Sequence, residues 1–452
     1  MSDGLFHSQD VDLKSCKIVT SAGKPLELKD IVVELNYFED IFNNGISGSL
    51  VINDSMSYIQ IYQIQGNEAL ILAIDKPGLD NPIEKTFRIY NVSNRNVAKP
   101  TNETYILKFC SEELLLNEQY KVSKSYPDAK VSEIVKDICT SFLKIDDKEF
   151  PTYNIDETTG LRTLVIPNFK PIQAINWACT FALSADKGNV GSPFLFYENR
   201  YGFHFRSILN LFQQPSFRIY QYDEKNLGSD SNKFTKDLQK DYVSVIEYEF
   251  VEALNSVQAV KQGIYSNKTY TIDPLRLKFG ETNFDYSEYT KDAASLEKGK
   301  MPFSAQNRFG DTPDKTPGVI KFCISSTGQS ENKYIKDKKI TINENQIEQT
   351  VSNRTAQISM LCSNRVKILV PGDIELSVGK VVEFNMPSTV YTDKSKQKQS
   401  DEFSSGKYLI TALRHVLNQQ NKFYTCLELA KESFPNSYTD FDNSDPGWKG
   451  VR

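Results

Sequence analysis

"FEDIFNNGISGSLVINDS", residues 38–55, is the stretch on which the reading of the fold turns. Its two glycines, Gly45 and Gly48, are too few for a dinucleotide loop, which needs three so that backbone can approach a pyrophosphate. Asn43-Asn44-Gly45 followed by Ile46, Gly48, Leu50 and Ile52 in alternation reads instead as a tight turn feeding a β-strand. Asp54 stands where a carboxylate can accept a backbone N–H and end that strand.

Working outward, residues 11–118 repeat the same texture, in runs such as "CKIVTSAGKPLEL", "DIVVELNYFEDI", "NEALILAID" and "TYILKFCSE". Short strands at this spacing predict a barrel or sandwich domain over 1–118. Residues 119–212 differ. In "DAKVSEIVKDICTSFLK" the apolar positions Val131, Ile134, Val135, Ile138 and Phe142 recur at helical spacing, with Asp128 placed to cap the first turn. A second helix is expected in "KPIQAINWACTFALS", and "PFLFYENRYGFHFRS" reads as a hairpin pairing Phe194 and Phe196 with Phe203 and Phe205 across Asn199–Gly202. An α+β domain results.

Strand texture returns over 213–392. Gly263–Asp273, "GIYSNKTYTID", echoes "GISGSLVIND" with one extra residue, which predicts a second copy of the first β-unit. The polar segment near 281–317, with an exposed helix at "YSEYTKDAASLEKG", is expected as a peripheral insertion. A polar loop, two last strands and an acidic tail after 434 make up 393–452. The fold class expected is therefore β-rich α+β.

Composition removes several functions. With 53 basic and 58 acidic residues the net charge is −5, so no surface is built to condense on nucleic acid or an acidic membrane. Seven cysteines are scattered without a C-x-x-C pair, which argues against a zinc site or a disulfide framework and for a reducing compartment during folding. No window approaches the apolar length of a membrane span, and "MSDGLFHSQDVDLKSC" lacks a basic, then apolar, leader pattern. Cytoplasmic synthesis is expected.

No reaction centre stands out. Only three histidines occur, His7, His204 and His415, none at ligand spacing, and both His204 and His415 read as satisfied or surface side chains. Walker loops, G-x-S-x-G elbows and metal-binding loops are absent, so catalytic, cofactor-binding and metal residues are all expected to be none. Glu39, Asp40 and Asp54 are the carboxylates from which a glycosidase pair would be drawn, weighed against plain turn chemistry.

The ordered series "FEDIFNNGISGSLVINDS", "LKFCSEELLLNEQYKVSKSY", "LVIPNFKPIQAINWA", "FLFYENRYGFHFRSI", "GIYSNKTYTIDPLRLKF" and "NRTAQISMLCSNRVKILVPGDIELSVGKVVEF" resembles the central baseplate hub proteins of contractile-tailed phages, relatives of the hub portion of type VI secretion spikes. The resemblance implies two tail-tube-like antiparallel β-barrel domains per chain, 1–118 and 213–392, with the α+β domain of 119–212 between them. It implies a homotrimer whose pseudo-sixfold face matches the tail tube protein while its threefold side receives the central spike. Wedge or tape-measure components are further candidate neighbours, and DNA crosses the lumen without specific binding. Such a protein is a non-enzymatic part of the virion baseplate, assembled in the host bacterial cytoplasm. A carbohydrate-binding or adhesin-like tail component, encouraged by 23 Tyr and 27 Phe, and a cell-wall hydrolase are the alternatives.

Overall fold

The computed structural model describes residues 10–20, 23–77, 81–99, 102–186, 191–222, 243–253, 255–274, 277–289, 294–297, 315–324, 347–387, 401, 404–419 and 422–433. His7, the polar loop at 393–400 and the tail from 434 lie outside them.

The first lobe contains β1 (Asp12–Val19), β2 (Pro25–Glu27), β3 (Val32–Asp40), β4 (Ser47–Asp54), β5 (Ala69–Asp75), β6 (Ile83–Lys99) and β7 (Asn102–Cys110), hydrogen-bonded in the order β3-β4-β7-β6-β5-β1-β2. Period-two alternation drives it: β5 buries Leu70, Leu72 and Ile74 and turns the residues between them outward. The opening stretch forms β4, as the alternation predicts. Gly48 is demanded by packing, since a Cβ there would stand 2.2 Å from the Phe109 ring and 2.4 Å from the Asn36 carbonyl.

The middle module pairs β8 (Val122–Ala129) with β9 (Arg162–Phe169) and β10 (Phe194–Asn199) with β11 (Gly202–Ser207). Helices Val131–Ile138 and Pro171–Cys179 pack with these strands around a core of their own. The hairpin has the expected turn, and its rings stack as Phe194 on Phe205 at 4.8 Å and Phe196 on Phe203 at 5.6 Å. Asp128 does not cap the helix. It takes φ +45°, its carboxylate meets Thr163, and Glu133 closes the helix start by accepting the Lys130 N–H.

The second lobe runs through β12 (Ser216–Tyr222), β13 (Ser244–Val245), β14 (Glu247–Ala253), then β15 (Ser266–Asp273), β16 (Lys278–Asp285), β17 (Val319–Ile324), β18 (Asn364–Pro371), β19 (Val381–Asn385), β20 (Gly406–Asn418) and β21 (Phe423–Ala430). Its pairings follow β14-β18-β21-β20-β19-β12-β13. Only Ile246 separates β13 from β14, and its N–H reaches the Leu369 carbonyl at 2.8 Å.

Three expectations are corrected here. The lobes are not hydrogen-bonded as separate sheets: β20 pairs with β19 through its first residues, passes a bulge at Ile410–Ala412, and pairs with β3 through its last. A single 14-stranded sheet therefore joins them, over a shared core. The strands expected after 393 are β20 and β21, which are central to this sheet. Second, β15, the strand in the Gly263 echo, is not in that sheet. It is the middle of a three-stranded sheet, β16-β15-β17, backed by the helix Ile347–Leu361 through Thr269 to Ser352 at 2.6 Å. The segment expected as an exposed helix from 286 begins with strand β16 before it, and its Tyr286 and Leu296 are buried.

Candidate functional site

The turn of the β10–β11 hairpin is where the three parts of the chain meet. Its two-residue loop, Arg200-Tyr201, exists because Gly202 takes φ +109° beside the Glu149 carbonyl, where any Cβ would collide at 2.1 Å. The Arg200 N–H donates to Glu39 Oε1 at 2.7 Å, and the Val378 N–H donates to Glu39 Oε2 at 3.1 Å. Tyr37 adds its hydroxyl at 3.0 Å. One carboxylate on β3 thus holds the middle module and the β18–β19 connection together. The Arg200 guanidinium donates to the carbonyls of Ile374 in the second lobe and Asn81 in the first. Asn199 completes the joint by donating to the Val378 carbonyl at 3.2 Å.

Glu39 is fully buried, and burial raises its carboxyl to about 7 despite the three donors and the nearby Arg200 charge. A neighbouring knot is centred on Glu198, also buried. It accepts from the Ile46 N–H at 2.9 Å, from the Ser111 hydroxyl at 2.6 Å and from the Lys85 ammonium. Burial works against the charge of Lys85, yet Glu198, Glu113 and Glu149 together hold its pKa above the ordinary lysine range. Glu113 is pushed up to about 7 by burial and then by repulsion from Glu198.

Lys85, Glu113, Glu149 and Arg200 line a cleft of about 660 Å³ together with Glu84, Glu112 and Tyr201, while Glu39 and Glu198 lie behind its wall. Chemically the arrangement is a joint: the Glu39 and Glu198 oxygens are engaged by backbone, hydroxyl or ammonium donors. Among the described residues no group of three or more His, Cys, Asp or Glu is arranged to hold a metal ion.

The residues weighed for catalysis have structural partners. Asp40 accepts the Phe42 N–H at 2.8 Å, while Asp54 accepts the N–H groups of Met56 at 2.9 Å and Ile59 at 3.2 Å and the Tyr105 hydroxyl at 3.3 Å. Ser47 pairs with Phe38, so Asp54 lies at the far end of β4, roughly 26 Å along the strand from Glu39, well outside the roughly 5–9.5 Å of a glycosidase pair. His204 meets Asn199 Oδ1 at 2.9 Å and stacks on Tyr197, and His415 meets Thr425 at 2.9 Å. Burial lowers both histidines to about 3, so they stay neutral packing groups. Lys85, Glu198 and Arg200 escaped the sequence reading. The one signal was Glu198 in an otherwise aromatic strand, a charge at an inward position.

No protein-family model matches the chain. In sequence it is 20% identical over 411 residues, 90% of each chain, to the probable baseplate hub protein gp334 of Vibrio phage KVP40. In structure it is similar to a tail protein from Neisseria meningitidis MC58, with a TM-score of 0.52 at 10% identity, covering 93% of this chain and 99% of that one. The 43 kDa tail protein of prophage MuSo2 from Shewanella oneidensis gives a TM-score of 0.51 at 8% identity, covering 92% and 98%. The chain thus resembles a phage baseplate hub protein along nearly its whole length and shares the fold of phage tail proteins.

Proposed function

We propose that this chain is a structural hub of a phage-type tail baseplate, a virion component that joins the tail tube to the central spike. One observation carries the reading: the similarity to a named hub protein runs end to end over 411 residues, so the whole architecture corresponds rather than one borrowed module. Three copies form a ring in which each contributes two tube-like units, giving six positions to a sixfold tube and three to the spike. The strand order β3-β4-β7-β6-β5-β1 of the first lobe recurs as β14-β18-β21-β20-β19-β12 in the second, which supports two related units per chain. Continuity of β13 with β14 across Ile246 supports reading the second as a barrel.

The joint at Glu39, Arg200 and Glu198 fits a load-bearing part, because it fixes three modules through buried directional bonds rather than through apolar sliding surfaces. The role needs no chemistry from the chain. DNA passes the ring without being held, which requires a lumen without a continuous basic lining. Assembly takes place in the host cytoplasm.

Immunogold labelling of intact tails and capture of purified tube and spike proteins by the full chain test this. Label at the baseplate end and capture of both proteins are expected. Absence from tail particles, with neither protein captured, would overturn it.

A further inference from the structure

A groove of about 270 Å³ opens where the connection between β3 and β4, the middle module and the helix Ile347–Leu361 come together. Its walls are apolar: Ile41 and Phe42 from the first lobe, Phe194 and Leu195 from the hairpin, and Ile358 from the helix. Phe42 is 46% exposed and Ile358 38%. Asn44 and Asn176 on the rim bond to each other, at 3.2 and 3.1 Å, and so ask nothing of an occupant. Among the described residues that line the groove, Arg354 alone is charged. Its guanidinium donates to the Thr180 and Ala182 carbonyls, and its Nε is buried without a partner. Burial pushes it down to about 10, and no carboxylate among the described residues offsets that. Buried arginines are ordinarily paired with an anion, so the groove is one carboxylate short.

We propose that this groove is the docking site of the chain's own C-terminal segment, with Phe441 between the apolar walls and a flanking aspartate, Asp440 or Asp442, on Arg354. Three observations choose that occupant. The first is where the described chain stops. Ser433 accepts the Ser295 hydroxyl at 2.9 Å and the Glu297 N–H at 3.1 Å. Next to it, burial and then the Glu432 charge raise the Tyr289 hydroxyl, which lies beside Gln357. Gln357 is three residues along the helix from Arg354, about 4.5 Å, and the chain from Ser433 to Phe441 spans up to about 26 Å. The second is charge. Residues 434–445 hold three aspartates and no Lys or Arg, and Asp440 and Asp442 bracket an aromatic ring, the complement of an apolar groove with one cation lacking a carboxylate. The third is size: the groove falls below the roughly 300–1,000 Å³ of small-molecule sites and suits one side chain with its backbone.

The docking is internal to the chain and stands or falls separately from the hub reading. Hydrogen exchange of the full chain tests it. Wild type is compared with three changes confined to the tail, Phe441→Ser, Asp440→Asn/Asp442→Asn and the control Trp448→Ser, and with Ile358→Asp in the groove. Wild type and control are expected to protect 438–442 and 41–44 alike. Phe441→Ser and Ile358→Asp should each speed exchange at both segments by about 10-fold or more, the weight of one buried aromatic anchor. The aspartate pair should do the same and abolish the salt dependence of the wild-type protection. Because Phe441→Ser leaves every described residue in place, it keeps the test decisive even where Ile358→Asp lowers the melting temperature. Free exchange of 438–442 in wild type would overturn the proposal, as would protection there that both Phe441→Ser and a folded Ile358→Asp leave intact, which would give the tail another surface. Protection that fades on dilution would also overturn it, giving the groove to the tail of a second copy.

Discussion

The two lobes share an order of strands and differ in how the order is wired. Pairings β3·β4, β4·β7, β7·β6 and β6·β5 are antiparallel, and so are their counterparts β14·β18, β18·β21, β21·β20 and β20·β19. The fifth departs: β1·β5 is antiparallel and β12·β19 parallel. Six residues, 41–46, join β3 to β4, whereas 254–363 lie between β14 and β18 and hold the whole three-stranded unit. Ladder hydrogen bonds constrain neighbours strongly and connections weakly, so an insertion of a hundred residues is tolerated where a strand swap would not be.

The counterpart of β4 is therefore β18, and the comparison continues past the strand ends. Asp54 closes β4 and accepts the N–H two residues on, at Met56; Asp373 follows β18 and accepts the N–H two residues on, at Glu375, also at 2.9 Å. The bonds differ in what else each carboxylate holds. Asp54 adds Ile59 N–H and the Tyr105 hydroxyl, whereas Asp373 adds Arg218 at 2.6 Å.

The middle module is the strongest place to separate the lobes. Glu198→Ala removes the acceptor for Ile46 N–H, Ser111 and Lys85, leaving a largely buried ammonium with Glu149 at 3.7 Å. Breaking a buried pair in this way costs about 4 kcal/mol. Urea denaturation should show the loss, and hydrogen exchange should place it at 44–48, in the first lobe alone. Equal loosening around Val378 would mean that the joint acts as one unit. Asp373→Ala comes next, at about 3 kcal/mol, because Arg218 loses a partner that is itself 2% exposed and, among the described residues, is left with Glu375 as its ion-pair partner. Its loosening should appear at 372–380.

Glu39 tests whether the lobes share a proton. Its carboxyl sits near 7 in the folded chain against an ordinary 4.5, so the native state holds the proton more tightly than the unfolded state between those values. The associated stability is fully present below pH 4.5 and is lost as pH rises through 7, a fall of roughly 3 kcal/mol at most. Glu39→Gln should flatten stability over that window, starting about 1 kcal/mol below wild type at the acid end, because the amide turns one donor toward another, and ending above it once wild-type Glu39 is ionised. Denaturation midpoints from pH 4 to 8 check this, and a Gln variant that keeps the slope would assign it elsewhere.

How much of this could be read beforehand depended on range. Alternation in "GSLVIND" and helical spacing at Val131, Ile134, Val135 and Ile138 are local signals, and they located β4 and the helix. The repeat was expected, but was attached to "GIYSNKTYTID" because glycine entry and a final aspartate looked like the diagnostic features. Those features mark any strand that ends in a turn. "ILVPGD", residues 368–373, is the better partner for "SLVIND", residues 49–54, and it was obscured by the proline and glycine before its aspartate. The joint was least legible: Glu39 and Val378 are 339 residues apart, and no periodicity announces which buried carboxylate will meet which distant N–H.

The smallest effect is also the sharpest test of the Asp54–Asp373 equivalence. Asp54→Ala leaves Met56 and Ile59 N–H groups without their acceptor, but no buried cation is stranded. The cost should be that of a lost cap, about 1.5 kcal/mol, roughly half that of Asp373→Ala. Asp54→Asn keeps one accepting oxygen and should recover most of it, while Asp373→Asn should not, since an amide cannot neutralise Arg218. If the two aspartates do the same job and differ only in the added ion pair, replacing Arg218 by Met should bring the Asp373→Ala cost down toward that of Asp54→Ala. A double-mutant cycle between Arg218 and Asp373 measures that difference directly. A coupling near zero would mean that the second lobe turns its chain by some other means, and the correspondence of β4 with β18 would then stop at the strand ends.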